Sequence, residues 1–183
     1  MRTTLPAAFA KINAELAVGL AESGEVELAL LHIQFMREIS AGPAQAEKTV
    51  ELVLTPARKR LDEQIRQAKN RADKNPRDAI TAARELFKDA RKTLALFDLF
   101  FDEDTNLRND VFDEVVGICN QLQVAYHKAT DDNDACLEFL RVVLPFATST
   151  DLREQIEKNT ATLKRIAATR SQRRCMPCSN LRP

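Results

Sequence analysis

The feature that most constrains this chain is an apolar rhythm with a helical period that runs through nearly all of its 183 residues. No stretch of strict apolar–polar alternation is long enough for a strand, and only 4 Gly and 7 Pro punctuate the pattern. A repeat of about 3.6 residues gathers apolar side chains on one side of a helix but scatters them over both faces of a sheet, so it predicts an all-α fold. The chain is 44% hydrophobic and 30% charged, enough to fill a core and hydrate a surface, which disfavours wholesale disorder. Uninterrupted apolar runs are only a handful of residues long, as at Leu28–Leu31, whereas a membrane span needs about 20.

The breaks in the rhythm place about seven helices. The first runs from Pro6 to Glu22 and ends at Ser23-Gly24, with proline in the first turn, where its missing N–H costs nothing. The second covers Glu25 to Ile39; Leu28, Leu31, Phe35 and Ile39 help to surround it with apolar residues, the pattern of a helix sandwiched between neighbours. From Ala44 to Lys74 the residues Val50, Val53, Ala57, Leu61, Ile65, Ala68 and Ala72 recur at threes and fours. Pro56 inside this segment implies a kink, or a short break with Thr55 as a new cap. A fourth helix spans Pro76 to Leu99, and the acidic stretch Asp102–Leu107 is a loop. The fifth runs from Arg108 to Lys128 and the sixth, after a polar turn at Thr130–Asn133, from Asp134 to Ala147. The last, capped by Ser149 or Thr150, covers Asp151 to Thr169 with Leu152, Ile156, Leu163 and Ile166 inward. Short connections force antiparallel neighbours, giving stacked hairpins in an α-solenoid or a compact bundle. The expected division is an N-terminal helical region over 1–105, a hairpin with a capping helix over 106–169, and a flexible basic tail over 170–183.

Within the fifth and sixth helices, Leu122, Tyr126, Ala135 and Phe139 stand at the spacing of the tetratricopeptide pattern, with the acidic turn Asp131–Asp134 between the helices. A small residue at Ala135 allows close helix approach, and Tyr126 and Phe139 fill space beside the hairpin. Adding the 34-residue period of that repeat to Leu122 reaches Ile156 on the last helix. The region from Asp110 to Ala168 thus resembles one tetratricopeptide hairpin plus the capping helix that follows it. Gln123 and Val142 depart from the pattern, since both replace small residues, and the preceding period lands on Lys88, which does not fit. The run AYHKATDDNDACLEFLRVVLPFATSTDLREQIEKNTATL is also similar to a helical segment of bacterial multidomain proteins, some of which carry a J-domain. That resemblance implies a chaperone-associated or scaffolding setting.

Cys175-Met176-Pro177-Cys178 is the one chemically suggestive motif. Two cysteines at this spacing can offer both thiolates to zinc, but a structural site takes four ligands. The pair is half of a zinc ribbon, an inert tail, or part of a site shared across a dimer. No other cofactor is implied. A thioredoxin-like role would need a βαβ setting. Cys119 and Cys136 sit singly on apolar helix faces, as reduced buried cysteines do, which points to the cytoplasm. The apolar N-terminus is interrupted by Lys11 and Glu15 and reads as a helix rather than an export signal.

Lys plus Arg and Asp plus Glu are 27 each, a balance that disfavours a strongly basic nucleic-acid binder. The run Arg58-Lys59-Arg60, with Arg66, Lys69, Arg71 and Lys74, is diluted by Asp62, Glu63 and Asp73 and reads as a solvated helix face. The acidic run Asp102-Glu103-Asp104 lacks the glycine and bidentate glutamate of a calcium loop. His32 reads as a hydrogen-bonded histidine of the core or its boundary. With His127 remote from it and no paired nucleophile, acyl-transfer chemistry has no visible basis. No phosphate-binding or dinucleotide motif occurs, so neither an enzyme nor a small-molecule substrate is expected.

The leading expectation is a non-catalytic module that holds a protein or peptide in a groove. Its candidate residues are Asn120, Gln123, His127 and Lys128, on the first helix of the repeat-like hairpin. The alternative is a helical dimerisation or assembly domain beside a zinc ribbon, with Cys175 and Cys178 as ligands.

Overall fold

A computed structural model describes residues 5–174, and among these there are seven α-helices and no strand. They are α1 (Leu5–Ser23), α2 (Val26–Ile39), α3 (Pro43–Lys74), α4 (Ala79–Phe100), α5 (Asn106–Thr130), α6 (Asn133–Val143) and α7 (Thr150–Arg174), with single 3-10 turns before α4 and after α6. The helices group into two units: residues up to Gln64 with Lys88–Val111, and Ile65–Phe87 with Phe112 onward. Residues 65–87 therefore group with the C-terminal helices and not with the N-terminal region. Residues 170–174, expected to begin a flexible tail, continue α7.

In the first unit, α1 and α2 form a hairpin closed by a Schellman turn. Gly24 adopts φ +91°, its N–H donates to the Ala21 carbonyl, and the Glu25 N–H donates to Leu20 at 2.8 Å. Glycine meets no Cβ penalty in this left-handed conformation. At the far end, the Ser40 hydroxyl donates to the Met36 carbonyl; Gly42 at φ +118° then turns the chain into Pro43, the first residue of α3. Of the kink or short break that the sequence predicts at Pro56, the break does not occur: α3 is one continuous helix through it. Its buried residues Ala46, Val50, Leu54, Ala57, Leu61, Ile65, Ala68 and Ala72 keep one face inward throughout. Pro56 is exposed, so the carbonyl left without a partner one turn earlier, on exposed Leu52, faces water. The Arg37 guanidinium donates to the terminal Phe100 carbonyl of α4 at 3.1 Å.

The hairpin overturns one expectation. α2 is not sandwiched: Leu28, Leu31 and Phe35 are 47%, 44% and 45% exposed. Its buried residues are Ala29, Ile33 and Met36, and those of α1 are Ala10, Ala14 and Ala17. Alanine lets helix backbones approach closely, so the arc with the smaller side chains is packed inward and most of the bulkier residues are left outside.

In the second unit, α5 meets the first half of α4 and the start of α6. The Cys119 thiol donates to the Ala83 carbonyl at 3.8 Å, and the Cys136 thiol donates to the Gln123 carbonyl at 3.9 Å. Phe87 meets Phe146 edge to face with centroids 5.0 Å apart. Between α5 and α6, Asp131 takes φ 60°. Asp132 caps α6 by accepting from the Ala135 N–H at 3.1 Å and also accepts from the Tyr126 hydroxyl at 3.0 Å. Of the four repeat-pattern residues, Leu122 and Phe139 are buried while Tyr126 and Ala135 are half-buried. The Ser149 hydroxyl caps α7 by accepting from the Leu152 N–H. The Arg170 guanidinium donates to the Asp131 carbonyl at 2.9 Å.

Asp113 on α5 holds the start of α7. Its carboxylate accepts from the Thr148 N–H at 2.6 Å and the Ser149 N–H at 3.0 Å. Burial pushes its pKa up, but the hydrogen bonds from Ser149 and Thr148 outweigh that and leave it below the ordinary 3.8. A depressed native pKa contributes stability above the unfolded-state pKa and loses it as pH falls through the native one. Asp113→Asn should therefore cost about 1–2 kcal/mol at pH 7. The difference from the parent should shrink once the pH drops below about 4, as read by urea unfolding at both pH values.

Candidate interaction surface

The most unusual surface in the described structure lies on the α1–α2 hairpin. On α1, Leu5, Phe9, Ile12 and Leu16 recur at steps of four, three and four and are 74%, 52%, 49% and 47% exposed. On α2, Leu28, Leu31 and Phe35 recur at three and four. The stripes share one side of the hairpin, because a groove of about 530 Å³ is lined by Leu5, Pro6, Phe9 and Asn13 from α1 and by Phe35 and Ile39 from α2. Helical spacing carries each stripe on from that groove. His32 sits at the edge of the face. Its Nδ1 and the Asn13 Oδ1 are hydrogen-bonded at 2.8 Å, and its ring meets Phe35 edge-on at 6.4 Å between centroids. The histidine is thus the hydrogen-bonded boundary residue that the sequence predicts, and it fixes the register of α1 against α2.

Contiguous exposed apolar surface of this extent marks interaction sites in soluble proteins, whereas scattered exposed residues are ordinary. Val26, Leu30, Leu52 and Val142, 48%, 49%, 62% and 51% exposed, lie off the two stripes and are of the scattered kind. Polarity found the charged surface of the chain. It missed this face, because the apolar arcs of α1 and α2 look alike until one of them is known to be buried.

The four residues expected to line a groove are not all at the surface. Asn120 and Gln123 are buried, at 2% and 1% exposure. The Asn120 Oδ1 accepts from the Asn159 Nδ2 at 3.0 Å, which joins α5 to α7. The buried Gln123 Oε1 has no hydrogen-bond partner, and neither does His127 Nδ1. His127 is half-buried and Lys128 exposed, so only these two present surface.

Cys175 and Cys178 lie outside the described residues. Among the described residues no cluster of three or more His, Cys, Asp or Glu side chains could hold a metal ion. Cys119 and Cys136 are buried free thiols. Burial pushes Cys119 up to about 12 and also raises Cys136, the reverse of what a nucleophilic thiol requires. The basic run of α3 is drawn into ion pairs: Arg58 with Asp62 at 3.0 Å, Arg60 with Glu22 at 2.6 Å, and Arg71 with both Asp78 and Glu85. No described helix is long and apolar enough to cross a membrane. No protein-family model, curated protein or solved structure matches the chain.

Proposed function

We propose that the chain is a cytoplasmic, non-catalytic protein-interaction module that binds its partner through the apolar face of the α1–α2 hairpin. The observation that carries this reading is the pair of bulky stripes, with Leu5, Phe9, Ile12 and Leu16 on one helix and Leu28, Leu31 and Phe35 on the other. Helical partners are held by apolar anchors at steps of three and four, which is the spacing present here. The buried, unactivated thiols of Cys119 and Cys136 support a structural role and a reducing compartment. In this reading the α5–α6 hairpin with α7 is a tetratricopeptide-like body, supported by the inward Leu122 and Phe139 and the capped turn at Asp132. An adaptor or scaffold role, in a chaperone-associated setting, follows from that likeness.

The test is site-specific photo-crosslinking in cells. A photoreactive side chain at Ile12 or Leu31 is expected to give discrete protein adducts, while the same group at Leu52 or Val142 gives none. Equal absence of adducts at all four positions would overturn the reading.

A further inference from the structure

We propose that the partner on the α1–α2 face is a second copy of this chain, with the two hairpins packing about a two-fold axis as a four-helix arrangement. The inference rests on the interaction reading above and names the occupant of the same face.

The area favours a self-association. Taken together, the exposed parts of Leu5, Phe9, Ile12, Leu16, Leu28, Leu31 and Phe35 amount to roughly 700 Å², against the ~800 Å² that each partner buries in a stable interface. One hairpin therefore supplies about one side of a complete interface, and a two-fold operation supplies the other side from the same residues.

The spacing agrees. Steps of four and three along both helices are those of a bundle seam, in which each bulky residue of one helix enters the hole between residues of its neighbour. Two antiparallel helices carrying such seams on one side are self-complementary. The Asn13–His32 hydrogen bond holds the two seams of a hairpin in one fixed register, so each copy presents the same preformed surface.

The charges allow it. The α1 stripe itself carries no charged residue: Lys11 and Glu15, each one position before an apolar residue and so about 100° around the helix, pair with each other at 3.5 Å. The strip offers no net charge with which to repel its own copy or to select an oppositely charged partner. On α2, Glu27 stands four residues before Leu31 and Glu38 three after Phe35, so the two exposed carboxylates lie at the ends of the stripe, on the rim of the face, where charges are hydrated.

Sedimentation equilibrium of the full chain from about 1 to 100 µM tests this, a range that spans the affinities of ordinary dimers. The expected mass is twice that of the chain. Phe9→Asp combined with Leu31→Asp should weaken association at least 100-fold, as loss of central apolar anchors does, with helicity unchanged by far-UV circular dichroism. Should that variant lose helicity, Phe9→Ser with Leu28→Ser, which only trims exposed apolar surface, should show the same shift. A dimer insensitive to these substitutions would overturn the proposed face. A monomer at the top concentration whose Ile12 position crosslinks to a different protein would overturn self-association and leave the interaction module standing. A monomer with no adduct at Ile12 or Leu31 would overturn both.

Discussion

Leu140→Ala is expected to lower the free energy of unfolding by about 3 kcal/mol, within the range for deep Leu→Ala cavities. Leu140 is 1% exposed and lies on the inward face of α6 with Cys136, Phe139 and Val143. α6 has 11 residues, and so short a helix owes its stability to tertiary packing rather than to propensity. It is also held at its start by the Asp132 cap. Fixed at that end and buried along one face, it cannot readily collapse into the space left by the leucine, so most of the cavity cost should persist. Val142→Ala, on the exposed side of the same helix, should change stability by less than about 0.5 kcal/mol. Urea unfolding of the two variants at equal chain concentration separates burial from helix propensity.

Ala14→Leu is expected to cost about 2–3 kcal/mol, from overpacking rather than from a void. Ala14 is fully buried between Ala10 and Ala17 on the inward stripe of α1. A branched side chain there must push α1 away from its neighbours or adopt an unfavourable rotamer. Gly19→Ala on the same helix provides the contrast. No atom lies within 4 Å of the added Cβ, so the substitution should stabilise by up to about 1 kcal/mol through helix propensity alone. Opposite signs for two additions of carbon to one helix, read by thermal unfolding, would locate the close approach on the alanine stripe.

Most of the helix layout was legible in the sequence. The ends of α1 follow from Pro6 and Ser23-Gly24, the start of α7 from Ser149, and the inward face of α3 from its repeat of threes and fours. These are local signals, and the capping and glycine chemistry behind them acts within one turn. What was not legible depended on residues far apart in the chain. A short break was one of the two readings at Pro56, because proline costs most in a buried helix interior, but the residue faces solvent and the helix continues. Asn120 and Gln123 looked like surface residues because they are polar, whereas the structure buries both. The partner of Asn120 is Asn159, 39 residues away, and no spacing rule connects them. The bulky residues of α2 looked like core for a similar reason: periodicity reveals an apolar arc but not whether something covers it.

The alanine stripe has a thermodynamic consequence of its own. A buried alanine withdraws little apolar surface from water, worth about 0.8 kcal/mol per methyl-sized group, where a leucine gains roughly 1.5–3 kcal/mol. The α1–α2 hairpin thus folds with a thin inner seam, and much of its apolar surface still meets solvent. Its backbone amides should be among the first of their unit to exchange with deuterium in dilute solution. Anything that covers the bulky stripes binds only the folded hairpin, so by mass action the protection of those amides should rise with the concentration of whatever covers them.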